Sequence, residues 1–372
     1  MFKKLRVVEL ASVLAGPSVG QFFAELGAEV IKVENPATEG DVTRSWYFSG
    51  ESHKSGISSY FSSVNWGKKS ILLDLKSEAG RGLLYKLIPH TDIVIASYKP
   101  GDAEKLQVDY ETLKGINPKL IYGHVTGYGG TDQRVGYDAV IQAESGFMSI
   151  NGAHGGGPTK MPVALMDVLA GHHLKQGLLV ALIQRMSSGN GAYVPVALID
   201  AAVSSLVNQA ANWLVGQKVP VRMGNEHPNI APYGDVFRSK DGKEMILAVG
   251  NDKQFQSLNE ILGITLYTEA KFATNLDRVK NRKALNDVLR DKIKSYSSDI
   301  LISQLQKLKV PVGVVKTIDE VFADGETHWL HSVEHLRGVK AFMASPEGFE
   351  SPRKLSKPPK LGEHTEQVFE NL

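Results

Sequence analysis

The start of the chain leaves little freedom of architecture. Residues 5–10 form a short apolar run broken only by Arg6 and Glu9, residues 16–26 carry helical spacing, and Gly27 joins them to a second run, Glu29-Val30-Ile31-Lys32-Val33-Glu34. A helix returning so tightly between two strands makes the strands parallel, and a parallel sheet is covered on both faces. The unit recurs. Residues 70–75, 92–97 and 120–125 read as buried strands, and 78–88 as a helix. Residues 1–200 are therefore expected to form a large doubly wound, Rossmann-like α/β domain.

Further on the pattern changes. Residues 200–214 read as one more helix, and 216–232, broken by Pro220, Pro228 and Pro232, as a linker. A smaller α+β domain follows, with strands at 234–238 and 244–249 and helices near 253–262, 281–296 and 298–308. Residues 320–350 read as irregular. The tail, Pro358-Pro359-Lys360-Leu361-Gly362-Glu363-His364, reads as an extended segment lying on another surface. The expected division is 1–200 (large domain), 201–232 (helix and linker), 233–318 (small domain) and 319–372 (return linker and C-terminal segment packing on the large domain).

Composition removes whole classes of function. The net charge of +2 argues for neither nucleic acid nor an anionic membrane as partner. The chain has no cysteine, so disulfides, thiolate catalysis and Cys-based metal sites are excluded together. No leader and no membrane-length apolar run is visible, and the expected location is the cytoplasm.

One carboxylate stands out. Asp167 precedes a long apolar helix that includes residues 177–183. Backbone N–H groups and the helix dipole favour an anion there, and a held carboxylate can act as a nucleophile. The plainer reading is an N-cap. In the first turn, Pro17 occupies the helix start and the dinucleotide fingerprint G-x-G-x-x-G is absent, so Glu34 at the end of the second strand is a weak ribose-binding signal. The glycine-rich stretch 127–160, interrupted by a helix at 137–146, is where a ligand would approach the backbone. His328, His331 and His335 have helix-compatible metal spacing without an acidic partner, and ordinary polar histidines are the expectation. His172 and His173 follow Asp167 by five and six residues, a spacing that a helix does not bring onto one face. No G-x-S-x-G elbow exists.

A set of motifs runs through the whole chain: Glu9-Leu10, Ala15-Gly16-Pro17, Leu26-Gly27-Ala28-Glu29, Gly40-Asp41 with Arg44, Asn65 with Lys68-Lys69-Ser70, Leu73-Asp74-Leu75-Lys76, Pro100-Gly101, Gly127-Tyr128-Gly129, Gly136-Tyr137-Asp138 with Gln142, and Asp167. Gly189 and Gly191, Gly224-Asn225 with His227-Pro228, Ala231-Pro232-Tyr233, and Pro359, Leu361-Gly362 and His364-Thr365 complete it. Together these resemble the family III CoA-transferases, a family that also contains α-methylacyl-CoA racemase. The resemblance implies an interlocked homodimer of ring-like subunits, with no metal and no tightly bound cofactor. CoA and acyl-CoA enter as substrates alongside a carboxylic acid. It implies Asp167 as the catalytic carboxylate and Tyr137 as its companion. It assigns CoA binding to Val13, Leu14, Ala15, Asn35, Leu73, Ser97, Tyr98, Lys99, Lys105, Leu106 and Asp138. A basic residue common in the family is absent at Asn35, which throws phosphate binding onto Lys99, Lys105 and Lys68 or Lys69.

The family's racemases use a histidine–aspartate pair as two proton-handling groups. Here the histidine position holds Tyr137, whose reference pKa of about 10 makes it a poor base at neutral pH. CoA transfer is therefore expected, with 2-methylacyl-CoA racemisation or epimerisation as the alternative. An oxidoreductase would be distinguished by NAD(H) binding. The acyl group is largely hidden from the sequence. Arg44, Arg134 and Arg222 are the candidates to hold the second carboxylate of a short dicarboxylate such as succinate.

Overall fold

The computed structural model describes residues 2–53, 56–323, 327–344, 347, 354–370 and 372. The chain divides into two compact units, one of Met1–Phe147, Lys160–Lys218 and Thr327–Leu372, the other of Met148–Thr159 and Val219–Glu326.

The first unit holds a six-stranded sheet of β1 (Arg6–Leu10), β2 (Glu29–Glu34), β3 (Lys68–Leu72), β4 (Ile93–Ala96), β5 (Ile121–Thr126) and β6 (Ala192–Ala197). The order is β3-β2-β1-β4-β5-β6 and every pairing is parallel. Its helices are α1 (Ala15–Glu25), α2 (Ser59–Ser62), α3 (Glu78–Leu87), α4 (Asp102–Lys105), α5 (Tyr110–Ile116), α6 (Asp138–Glu144), α8 (Leu165–Ser188), α9 (Leu198–Ser204) and α10 (Val207–Leu214), with the short α7 (Phe147–Ile150) between α6 and α8. Alternate strand residues feed two cores. Val7, Ile93, Ile95 and Ile121 pack with α1 and α8 on one face. Val8, Val94, Ala96 and Tyr122 pack with α3 and α5 on the other. The mixed α/β expectation holds here. Gly27, at φ 96°, makes the tight joint from α1 into β2 that the pattern implied.

One strand is added to the sequence reading and two local readings are corrected. The strand β6 lacks a clean sequence signal because Pro195 interrupts it; it sits at the sheet edge, where a missing N–H is tolerated. Residues 200–214 are not one helix but the end of α9 and all of α10. Asp167 is not an N-cap: Ala164 holds that position and Asp167 is the third residue of α8.

The second unit contains an antiparallel sheet of β7 (Tyr233–Arg238), β8 (Glu244–Ala248) and β9 (Val312–Val314). It also contains α11 (Asp252–Leu262), α12 (Asn275–Lys280), α13 (Arg282–Ile293), α14 (Ser298–Lys307) and α15 (Ile318–Ala323). Phe237, Leu247, Phe255, Leu258, Leu285 and Leu289 are central to its core.

The chain then returns to the first unit. Residues 320–350 are not uniformly irregular. They include the end of α15 and a hairpin of β10 (Leu330–Val333) and β11 (Leu336–Val339); residues 324–326, 345–346 and 348–350 lie outside the described residues. The hairpin removes the helical spacing of His328, His331 and His335, and His331 instead bonds Glu25 through Nε2 at 2.9 Å. The tail covers the β3 edge. The His364 N–H donates to the Ser70 carbonyl (2.9 Å) and Leu72 N–H to Thr365 Oγ1 (3.1 Å), and α16 (Thr365–Glu370) places Val368 in the second core. Among the described residues no helix is long and apolar enough to cross a membrane, and no group of three metal-ligating side chains occurs.

Candidate active site

In an open parallel sheet the strand order reverses at one point, and the loops leaving the two strands there part to leave a crevice at their carboxyl ends. Here that point lies between β1 and β4. The loops meet where Ser12 N–H donates to Ser97 Oγ at 3.2 Å. Two adjoining clefts of about 260 and 250 Å³ open over this junction, and Ser12, Ser97 and Tyr98 line both.

The first cleft runs over the ends of β2 and β3, lined by Asn35, Leu73, Leu75, Lys76 and Leu106, with Lys32, Glu34 and Asp41 in its floor. Its lining mixes apolar side chains with charged ones. The second is lined by Val13, Ala15, Lys99, Thr126, Gly127, Arg134, Gly136, Tyr137 and Asp167. The end of β5 and the start of α6 meet closely: a Cβ placed on Gly127 would lie 2.7 Å from the Gly136 Cα. Two glycines are needed for that approach, and it brings Tyr137, the N-cap residue of α6, into the Asp167 cleft, where the residue is 55% exposed.

Asp167 is buried, 8% exposed. Burial, and next the charge of Asp138, push its carboxyl up to about 7. The helix dipole was expected to favour the anion, and desolvation outweighs it. Asp138 is held otherwise: Oδ1 accepts Met166 N–H (2.8 Å) and Oδ2 accepts Gln142 Nε2–H (2.7 Å). Tyr60 in α2 lies in the same field. Burial, then the charges of Asp167, Asp138 and Asp41, push its phenol up to about 12. Trp46 packs edge-on against its ring.

The expected residues separate by position. Val13, Ala15, Asn35, Leu73, Ser97, Tyr98, Lys99, Leu106, Tyr137 and Asp167 line the two clefts. Leu14, Lys105 and Asp138 are not among the lining residues: Leu14 is the N-cap residue of α1, Lys105 is 76% exposed and paired with Asp102, and Asp138 is buried. The Asn35 side chain caps a short turn by accepting Ala37 N–H. Lys68 and Lys69 are engaged elsewhere. Lys68 is buried on Glu9, the Pro17 carbonyl and Asn65, and Lys69 pairs with Glu29. Of the three arginines, Arg44 is buried in a bidentate pair with Glu34, and Arg222 donates to the Gly156 and Ser149 carbonyls. Arg134 lines the Asp167 cleft, stacked 3.8 Å from the Tyr128 ring and paired with Asp132 and Glu144. Lys76 and Tyr60 were not read as site residues. Lys76 closes the Leu73-Asp74-Leu75-Lys76 motif, a signal that could have found it. Tyr60 carries none.

A crevice at the switch point of a parallel sheet, with the buried Asp167 at one end, is the arrangement of an α/β enzyme. The chain belongs to CoA-transferase family III, which is matched over residues 2–365. It is 38% identical to a succinate–glutarate CoA-transferase of Agrobacterium fabrum, over 99% of this chain and 94% of that one. It is 34% identical to the succinyl-CoA:glutarate CoA-transferase of Homo sapiens, over 99% and 85%. A crystal structure of a CAIB/BAIF family protein from Brucella suis superposes with a TM-score of 0.86 at 40% identity, covering 100% of this chain and 98% of that one.

Proposed function

We propose that this enzyme moves CoA between a short dicarboxylyl-CoA and a free dicarboxylate, with Asp167 as the covalent carrier. The observation that carries this reading is the buried Asp167 at one end of a pair of adjoining clefts. The acyl-CoA lies with its nucleotide over Leu73, Leu75 and Leu106 and its thioester at Asp167. Lys76 and Lys99 are the cations along that path.

The Asp167 carboxylate attacks the donor thioester carbonyl, giving a mixed anhydride and CoA thiolate. The thiolate attacks the aspartyl carbonyl, releasing the donor acid and leaving an aspartyl-CoA thioester. The acceptor carboxylate attacks that thioester, and the returned thiolate attacks the new acyl carbonyl. Each half of the cycle passes through one anhydride and returns to a thioester, so the energy of the donor's thioester bond is kept on the enzyme until the acceptor takes it. Tyr137 donates a hydrogen bond to the acyl oxygen. Proton removal from the α-carbon is not part of the scheme, because Tyr137 replaces the second base.

The dicarboxylate preference is supported by Arg134, which lines the Asp167 cleft, and by the names of the relatives. The homodimer is supported by apolar side chains left exposed on α8 and α10, among them Val180, Ile183, Met186, Val207 and Leu214. The test is a mass-spectrometric screen of succinyl-CoA, glutaryl-CoA, acetyl-CoA and 2-methylacyl-CoA donors against mono- and dicarboxylate acceptors. Dicarboxylate exchange faster than any monocarboxylate exchange is expected. Epimerisation of the 2-methylacyl-CoA without transfer would contradict the reading.

A further inference from the structure

Beneath the clefts lies a set of buried charges that the transfer steps do not use. Glu9 in β1 and Lys32 in β2 are paired positions of adjacent strands. Their side chains are 0% and 1% exposed. Lys32 Nζ donates to Glu9 Oε1 (3.0 Å) and to the Ala11 carbonyl (2.7 Å), and it lies 2.8 Å from Asp41 Oδ2. Three oxygens surround the ammonium, so Lys32 is not a free phosphate-binding cation although it borders the first cleft. Burial alone would raise the Asp41 carboxyl, but Lys32 and the Thr43 N–H hold it below the usual carboxylate range.

The other oxygen of Asp41 faces the β1–α1 turn. Oδ1 accepts Thr43 N–H (3.0 Å), the Thr43 hydroxyl (2.8 Å) and Val13 N–H (3.3 Å). Val13 has φ 70°, a left-handed conformation that a β-branched residue adopts only when its surroundings impose it. The turn it belongs to carries Ser12, which lines both clefts, and Val13 and Ala15, which line the Asp167 cleft.

We propose that Asp41 is a positioning residue for the CoA substrate: anchored on Lys32, it holds Val13 in the left-handed conformation and so sets the β1–α1 turn that borders both clefts. This rests on the reading that the clefts receive acyl-CoA. Without the Asp41 contact, Val13 relaxes toward negative φ, and only the fraction of molecules with the native turn binds tightly. Apparent affinity falls by that fraction. Glycine occupies the left-handed region at no steric cost, so Val13→Gly restores that fraction.

The experiment is calorimetric titration of free CoA into the full-length enzyme and its variants. Asp41→Ala is expected to raise the Kd about tenfold, as a turn populated in about a tenth of molecules requires. Lys32→Met/Asp41→Ala removes both charges of the pair, serves if Asp41→Ala alone fails to fold, and is expected to show the same loss. Adding Val13→Gly to either background is expected to recover at least about threefold, which a general loss of stability would not do. A Kd within twofold of wild type in the Asp41 variants, a tighter Kd from a released Lys32, or a loss that Val13→Gly leaves untouched overturns the proposal. A wild-type enzyme that binds no CoA overturns the acyl-CoA reading as well; a wild type that binds while the variants match it overturns this inference alone.

Discussion

Asp138 both crowds Asp167 and pins the turn that carries it: its charge raises the Asp167 carboxyl, while its Oδ1 takes the N–H of Met166, the residue just before Asp167, at 2.8 Å. Asp167 is thus kept buried at a defined place, and the cost of burying it appears as a raised pKa rather than as a compensating hydrogen bond.

That cost is measurable as stability. A carboxyl raised to about 7 in the folded state binds protons more tightly than in the unfolded chain, so its tolerance in the fold is complete below about pH 4 and is lost as pH rises through 7. Asp167→Asn removes the buried charge. It is expected to abolish transfer and keep CoA binding. By thermal melts, it should match wild type at pH 4 and exceed it by up to about 4 kcal/mol at pH 8. A variant less stable than wild type at pH 8 would show that the Asp167 charge is well accommodated.

The same shift sets the pH dependence of the reaction. In the proposed scheme only the carboxylate attacks, so kcat/KM is expected to rise with pH through a limb near 7. Asp138→Asn keeps an acceptor for Met166 N–H and removes the like charge. The limb should then move to lower pH, by about a unit or less, because burial is the larger cause. An unmoved limb would assign it to another group.

Tyr137 distinguishes the two branches of chemistry. Tyr137→Phe is expected to reduce transfer about ten- to a hundredfold without eliminating it, the loss of one oriented hydrogen bond. Neither enzyme should exchange the α-proton of a 2-methylacyl-CoA with deuterium from solvent. Wash-in at a rate near that of transfer would mean racemisation.

How much of this was legible follows the range of the interactions. The β1–α1–β2 unit could be read because its signal is local: short apolar runs, helical spacing and Gly27. Tyr137 and Asp167 could be placed because the motifs resembled a known family. What failed depended on contacts distant in sequence. Pro195 hides β6 until β5 is seen beside it. Arg44 looks like a free cation until Glu34 and the Pro359 carbonyl, far down the chain, take its guanidinium. Lys68 looked able to reach phosphate, yet lies under α1 against Glu9. The raised pKa of Asp167 depends on burial that no local pattern encodes.

Phosphate recognition is expected to fall on the cations that border the clefts. Lys76→Ala and Lys99→Ala should each raise KM for acyl-CoA about tenfold with little change in kcat, and flatten the dependence of KM on ionic strength. Lys105→Ala, at an exposed position outside both clefts, should do much less. Equal effects from all three would indicate a diffuse field rather than the path along the clefts.

The covalent role of Asp167 is tested most directly by following oxygen. The enzyme is incubated with succinyl-CoA and glutarate labelled with oxygen-18 in its carboxylates, and the protein is digested and weighed by mass spectrometry. In the anhydride scheme the acceptor leaves one of its carboxylate oxygens on the aspartyl side chain when CoA departs with the new acyl group. The expected result is heavy oxygen in the peptide carrying Asp167, accumulating with turnover. Labelled acceptor converted to its CoA ester with no heavy oxygen in that peptide would contradict the account.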